Sequence, residues 1–221
     1  MQKLIYICFI ALFSMACKQN AETKTIEPET VEPEVSVAEK IANAHGFENW
    51  KNVSEISFTF FGKRHWTWQP KSNDVKLINE TDTISYNRKN MDSTVIKYDR
   101  AFVNDKFWLL IPFQLVWDDG ATISEPIKTE APISKTEMNK ITLLYTSDGG
   151  YTPGDAYDIY FEDDYIIKEW AFRKGNKPEA GLINTFENYQ DFSGLKLALD
   201  HKKSEGDWNL KLSNIEVAIR E

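Results

Sequence analysis

The 221-residue sequence predicts a β-rich α+β domain. The expected architecture is a strongly curved antiparallel sheet of about ten strands, an unclosed half-barrel packed on an amino-terminal helix. Three observations lead there. Apolar and polar residues alternate in run after run, beginning with Ile56, Phe58 and Phe60. Clusters of Gly, Asp and Ser separate the runs. A single stretch with helical spacing and a capping box stands ahead of them. About ten strands exceed what a flat sheet holds without curling or splitting, so curvature is the economical solution.

Composition bounds the function. With 42% apolar and 13% aromatic residues the chain is globular rather than disordered. Lys and Arg number 26 against 34 Asp and Glu, a formal charge of −8, which argues against nucleic acid as a partner. Cys8 and Cys17 are the two cysteines, too few for a disulfide scaffold or a cysteine-based zinc site. No cofactor is expected.

Taken in order, the chain divides into residues 1–16, 17–35 and 36–221. Lys3 precedes an uncharged run from Leu4 to Phe13, and Ser14-Met15-Ala16-Cys17 closes the segment with small residues. The run is too short for a membrane span, which needs about 20 apolar residues, and has the proportions of a secretory signal. Ala16-Cys17 resembles the lipobox of bacterial lipoproteins, although Ser14 stands where a branched apolar residue is commoner. That resemblance implies acylation of Cys17 and loss of Cys8 with the signal, leaving no free thiol. The chain is then anchored to a membrane rather than spanning it, in the cell envelope and by expectation at the outer membrane. From Lys18 to Val35 the sequence KQNAETKTIEPETVEPEV holds five glutamates, two prolines and no aromatic residue. It reads as a flexible acidic tether.

Ser36-Val37-Ala38-Glu39 fits a capping box, Val37 and Ile41 share a helix face, and Gly46 suits the left-handed position that ends a helix. His45 beside it is expected to carry partial charge favoured by the helix dipole. A second short helix is expected from Glu48 to Val53, anchored by Trp50. Strand patterns then recur in Trp66 and Trp68, in Ile141, Leu143 and Tyr145, in Tyr157, Ile159 and Phe161, and in Leu195, Leu197 and Leu199. Such alternation describes antiparallel strands with one wet face. Hairpin tips are expected at Asp148-Gly149-Gly150, Glu162-Asp163-Asp164 and Ser204-Glu205-Gly206-Asp207. The phase of Trp208, Leu210 and Leu212 slips by one residue before Ile215, Val217 and Ile219, so a bulge is expected near Ser213-Asn214. Thr122 to Thr136, with Pro126 and Pro132, reads as a long exposed loop.

This order of elements resembles the lipoprotein-carrier fold of LolA and LolB, an unclosed β-barrel with helices plugging its concave face. Three segments resemble uncharacterised envelope lipoproteins of Bacteroidetes: Asn104 to Phe113 (NDKFWLLIPF), Tyr151 to Tyr157 (YTPGDAY) and Glu169 to Arg173 (EWAFR). No functional motif of the carriers transfers residue by residue.

The residues offer little chemistry. His45, His65 and His201 lie at no metal-ligand spacing, no acid spacing matches an EF-hand, and no nucleophile elbow, P-loop or dinucleotide fingerprint is present. The chain therefore reads as a non-enzyme. Asp155, aimed by Pro153-Gly154, is expected to cap its own turn. Trp66, Trp68, Trp108, Trp117 and Trp170 all fall in expected strands or at their ends. They either fill the core of a curved sheet or line a cavity for a hydrophobic ligand. The leading expectation is a lipid-anchored envelope protein that binds a hydrophobic or amphiphilic ligand. One competitor is an interaction module with a fully packed core and a protein partner. The other is an enzyme with a dispersed acid–base site around Asp155, Asp158 or Glu169.

Overall fold

Ser36 begins the first ordered element, and its chemistry is that of the expected capping box. Its Oγ accepts the Glu39 N–H at 3.2 Å, while the Glu39 carboxylate accepts the Ser36 N–H at 2.8 Å. Helix α1 runs Val37–Ala44 and ends where Gly46 takes φ +85°. A Cβ at Gly46 would stand 1.9 Å from the Gly194 carbonyl oxygen, so only glycine fits this close approach. A 3-10 helix follows at Phe47–Asn52, with Trp50 inside it as expected. This computed structural model describes residues 34–146 and 151–220. The expected signal, Cys17, the tether up to residue 33 and the Asp148-Gly149-Gly150 turn lie outside those residues.

The described chain is β-rich, with two unclosed antiparallel sheets and few helices. Four strands come first: β1 Val53–Phe60, β2 Arg64–Gln69, β3 Asp74–Ile78 and β4 Thr83–Asn87. After helix α2 (Ile96–Trp117) come β5 Ala121–Ile123, β6 Ile127–Glu130, β7 Glu137–Tyr145, β8 Ala156–Phe161 and β9 Ile167–Arg173. The last four are β10 Leu182–Thr185, β11 Glu187–Phe192, β12 Leu195–Lys202 and β13 Asn209–Ile219. One sheet has the order β11-β12-β13-β1-β2-β3-β4; the other has β10-β9-β8-β7-β5, with β6 also paired to β7. The described residues thus hold thirteen strands in two sheets, where about ten in one sheet were expected.

The bulge in the last strand is present. Ser57 pairs with Glu216 but Thr59 with Ser213, and Asn214 takes φ 50° at the slip. Glu162–Asp164 and Ser204–Asp207 are strand-connecting tips, as expected.

Helix α2 corrects the sequence reading most. Trp108 and Trp117, expected in strands or at their ends, belong to a helix, and so does the whole of Asn104 to Phe113. Every residue from Asp105 to Phe113 is buried, so the segment has no polar face and no helical period to detect. Leu110 leaves helical geometry (φ −117°, ψ 23°) just before Pro112, whose missing N–H and bulky ring account for the kink. α2 meets both sheets: Phe102 packs on Trp66 and Trp68 of β2, while Phe107 and Trp108 pack on Trp170 of β9. Helix α1 packs against α2.

Three further expectations change. Thr122 to Thr136 is not one loop, because β5 and β6 both pair with β7; short exposed edge strands carry no alternating apolar signal. Strand β8 is buried on both faces. On its outer face Tyr160 belongs to a satellite cluster with Ala131, Met138 and Ala171, so the one-wet-face rule fails there. Ile219, by contrast, is 51% exposed although its phase suggested burial; it lies at the end of β13, where packing runs out.

Candidate functional site

The five tryptophans separate into two groups joined through α2. Trp66 and Trp68, on one face of β2, meet Phe102 edge-on at centroid separations of 5.4 and 5.7 Å. Trp68 lies 6.5 Å from Trp117 and 5.8 Å from Trp50, and Trp50 and Trp117 are 4.7 Å apart. Phe113 closes this group, 5.7 Å from both Trp50 and Trp117. On the other side Trp108 packs edge-on against Trp170 at 4.7 Å and His201 at 5.4 Å. Trp66, Trp68, Trp108 and Trp170 are buried, whereas Trp117 and Trp50 are half-buried. Rings at these separations and tilts are attractive beyond their buried area. The surface clefts beside Glu55 and Gln69, beside Lys128 and Asp163, and beside Lys40 and Pro126 are lined by none of the five.

Two indole N–H groups in the interior have assigned partners. Trp66 Nε1 donates to Asp105 Oδ2 at 2.8 Å, and Trp170 Nε1 donates to Asn184 Oδ1. Trp68 Nε1 is different: it is buried and has no partner among the described residues. Beside it lies Lys106, a residue that the sequence reading passed over because a lone lysine normally sits in solvent.

Lys106 is only 8% exposed. Its Nζ stands 5.4 Å from the Trp68 ring centroid and 5.6 Å from that of Trp117, and donates to Gln114 Oε1 at 3.3 Å. Among the described residues no carboxylate lies within 4 Å of it. Burial, and after it the charge of Arg88, lower its pKa to about 8 against the opposing effect of Asp118 and Asp99. Gln114 Nε2 donates to Asp118 Oδ2 at 3.2 Å, and the Gly120 N–H donates to Asp118 Oδ1 at 3.1 Å. The Tyr145 hydroxyl is also buried with no hydrogen-bond partner among the described residues, and burial followed by the charge of Asp118 raises its pKa. The end of α2 thus collects unsatisfied donors beside half-buried aromatic rings.

The carboxylates considered for acid–base chemistry are committed elsewhere. Asp155 does not cap its own turn: its Oδ1 accepts the Gly175 N–H at 2.7 Å, bracing the neighbouring hairpin. Asp158 accepts from Arg173 Nε at 2.8 Å and from Thr142 Oγ1 at 2.6 Å. Glu169, 2% exposed, accepts the Ile133 and Ser134 N–H groups at 2.7 and 2.8 Å. No histidine accompanies them in these contacts.

His45 is correspondingly not a charged cap. It is fully buried, its Nδ1 donates to the Ile41 carbonyl at 2.8 Å, and burial pushes its pKa down to about 4. His201 behaves alike, with Nδ1 donating to the Thr185 carbonyl at 3.2 Å and burial lowering its pKa to about 4. His65 Nδ1 pairs with Thr59 Oγ1 at 3.0 Å. Among the described residues, no three His, Cys, Asp or Glu side chains are grouped to hold a metal ion. No helix among them is long and apolar enough to cross a membrane. Compared with known protein families, curated proteins and solved structures, the chain matches none.

Proposed function

We propose that this chain is a lipid-anchored protein of the cell envelope, acylated at Cys17 and held at the outer membrane, that binds a hydrophobic or amphiphilic ligand. In this reading the two sheets act together as one unclosed half-barrel, with α2 as the plug of its concave side. The single supporting observation is the make-up of that interior. A helix buried from Asp105 to Phe113 and broken at Leu110 is gripped by aromatic side chains from both sheets. An acyl chain offers these rings the same kind of apolar contact that the helix makes with them. The kink provides a place for α2 to bend aside.

A second reading has its own observation in favour. Trp66, Trp108 and Trp170 are packed ring against ring, which suits an interaction module with a filled core and a protein partner. The two readings separate in one experiment. The full chain carrying Cys17→Ser is purified gently and examined by native mass spectrometry, with delipidation and lipid re-addition as a second step. Ligand binding requires co-purifying or re-added lipid at a fixed stoichiometry. A lipid-free chain that takes up none leaves the interaction module. The anchor is tested separately: a palmitate analogue labels the wild type and not Cys17→Ser, and equal labelling refutes it.

A further inference from the structure

The ligand-binding reading leaves open which end of an amphiphile the protein recognises, and the surroundings of Lys106 bear on this. Lysine has three donors and no acceptor, and Gln114 takes one of them. Trp68 Nε1 is a further donor, buried and unpartnered in a side chain that is 7% exposed. Both groups therefore lack the same thing, an acceptor. A buried cation without a carboxylate contact is costly, and an anion placed beside it removes most of that cost. The two donors are neighbours, since Nζ stands 5.4 Å from the centroid of the ring that carries Trp68 Nε1. The neighbouring rings of Trp50 and Trp117 are half-buried, lie tilted to each other at 4.7 Å, and offer apolar surface next to that position. Gln114 and Asp118 beside Lys106 are half-buried as well, which leaves an approach from solvent. Both Asp118 oxygens are engaged by Gln114 and Gly120, and Arg88 nearby is paired with Asp99.

We propose that Lys106 Nζ and Trp68 Nε1 receive the anionic head group of an acyl amphiphile, with the rings of Trp50 and Trp117 lying along the first part of its chain. This rests on the ligand-binding reading, and adds to it a head-group site at a stated pair of atoms. The apolar tail gives affinity through burial, and the charge-assisted hydrogen bonds select an acid over its neutral ester.

The test uses the full chain with Cys17→Ser, titrated with oleate, methyl oleate and acetate while tryptophan fluorescence is followed and calorimetry checks stoichiometry. Oleate is expected to bind saturably and more tightly than methyl oleate. Lys106→Met and Trp68→Phe each weaken oleate at least about tenfold, and Lys106→Arg stays closer to wild type than to Lys106→Met. Near-UV circular dichroism verifies that each variant is folded; if Lys106→Met is not, Trp68→Phe and the ester comparison carry the result. Equal affinity for oleate and methyl oleate, or no effect of the substitutions, overturns the head-group site and leaves the ligand reading standing. Acetate binding as tightly as oleate overturns the amphiphile. If neither oleate nor its ester binds and no lipid co-purifies, both readings fall.

Discussion

Arg64 on β2 and Asp105 on α2 form a two-pronged ion pair, with Nε 2.6 Å from Oδ2 and Nη2 2.8 Å from Oδ1. The Asp105 side chain is fully buried and also accepts from Trp66 Nε1 at 2.8 Å and Asn104 Nδ2 at 3.0 Å. One carboxylate thus fastens the central helix to the seven-stranded sheet, beside the aromatic interior. Its satisfied lone pairs explain how a charge survives in that position.

Asp105→Ala should therefore destabilise the fold by about 3 kcal/mol, because it strands Arg64 and Trp66 without their acceptor. Glu187→Ala, which removes a half-exposed pair with Lys202, should cost less than about 1 kcal/mol. Urea denaturation of both variants checks the contrast. Equal midpoints would show that Asp105 does not hold helix to sheet.

Gly46→Ala should be among the most damaging small substitutions. The positive φ alone costs about 1–3 kcal/mol, and the new Cβ meets Gly194 backbone oxygen at 1.9 Å. Gly62→Ala is the matched control, with φ +66° and nothing within 4 Å of its Cβ, so it pays only the backbone cost. Thermal midpoints that fall equally in the two variants would contradict the close approach of the α1 end to the β11–β12 turn.

Stability should fall as pH drops from about 6.5 to about 4. His45 and His201 are held near 4 in the folded chain by burial, against 6.5 when free. The unfolded chain therefore binds more protons across this window, and each imidazole removes up to roughly 3 kcal/mol by its lower end. Imidazole NMR signals of His45 and His201 should remain those of the neutral ring down to about pH 5. Protonation of either near 6.5 in the folded state would refute the assignment.

Lys106 works at the other end of the scale. Its folded pKa of about 8 lies below the free value of 10.5, so the charged form opposes folding. Stability should rise with pH from about 8 towards 10 as the folded protein loses this proton first. Above about 10 the raised pKa of Tyr145, which keeps its proton only in the folded state, works in the opposite direction. Lys106→Met should abolish the rise and be more stable than wild type at pH 7, because it removes a buried unpaired charge. Denaturation midpoints at pH 7 and pH 9.5 measure both effects, and a parallel pH dependence in the two proteins would exclude them.

Local interactions were legible in the sequence wherever a pattern acts on its immediate neighbours. The capping box of Ser36 and Glu39, the left-handed Gly46, and the bulge at Ser213-Asn214 each follow from sterics or hydrogen bonding within a few residues. The alternation of Ile141, Leu143 and Tyr145 in β7 was readable for a related reason: one face buried more deeply than the other writes a period of two into the sequence. The aromatic residues of the candidate site were legible as a group, but not their division between the two sides of α2.

What only the tertiary structure decided is what surrounds a residue on all sides. Asp105 to Phe113 is enclosed throughout, so its sequence carries no helical period, and Trp108 was expected in a strand. Lys106 looked like any surface lysine until the fold placed it between Trp68 and Trp117 without a carboxylate. Asp155, Asp158 and Glu169 looked available for chemistry until Gly175, Arg173 and the Ile133–Ser134 amides occupied them. The sequence by itself determined the β-rich class and the boundaries set by local chemistry, because those depend on short-range periodicity and capping. The tertiary structure decided the central helix and the unpaired donors beside it, because burial and partnership are properties of the assembled interior.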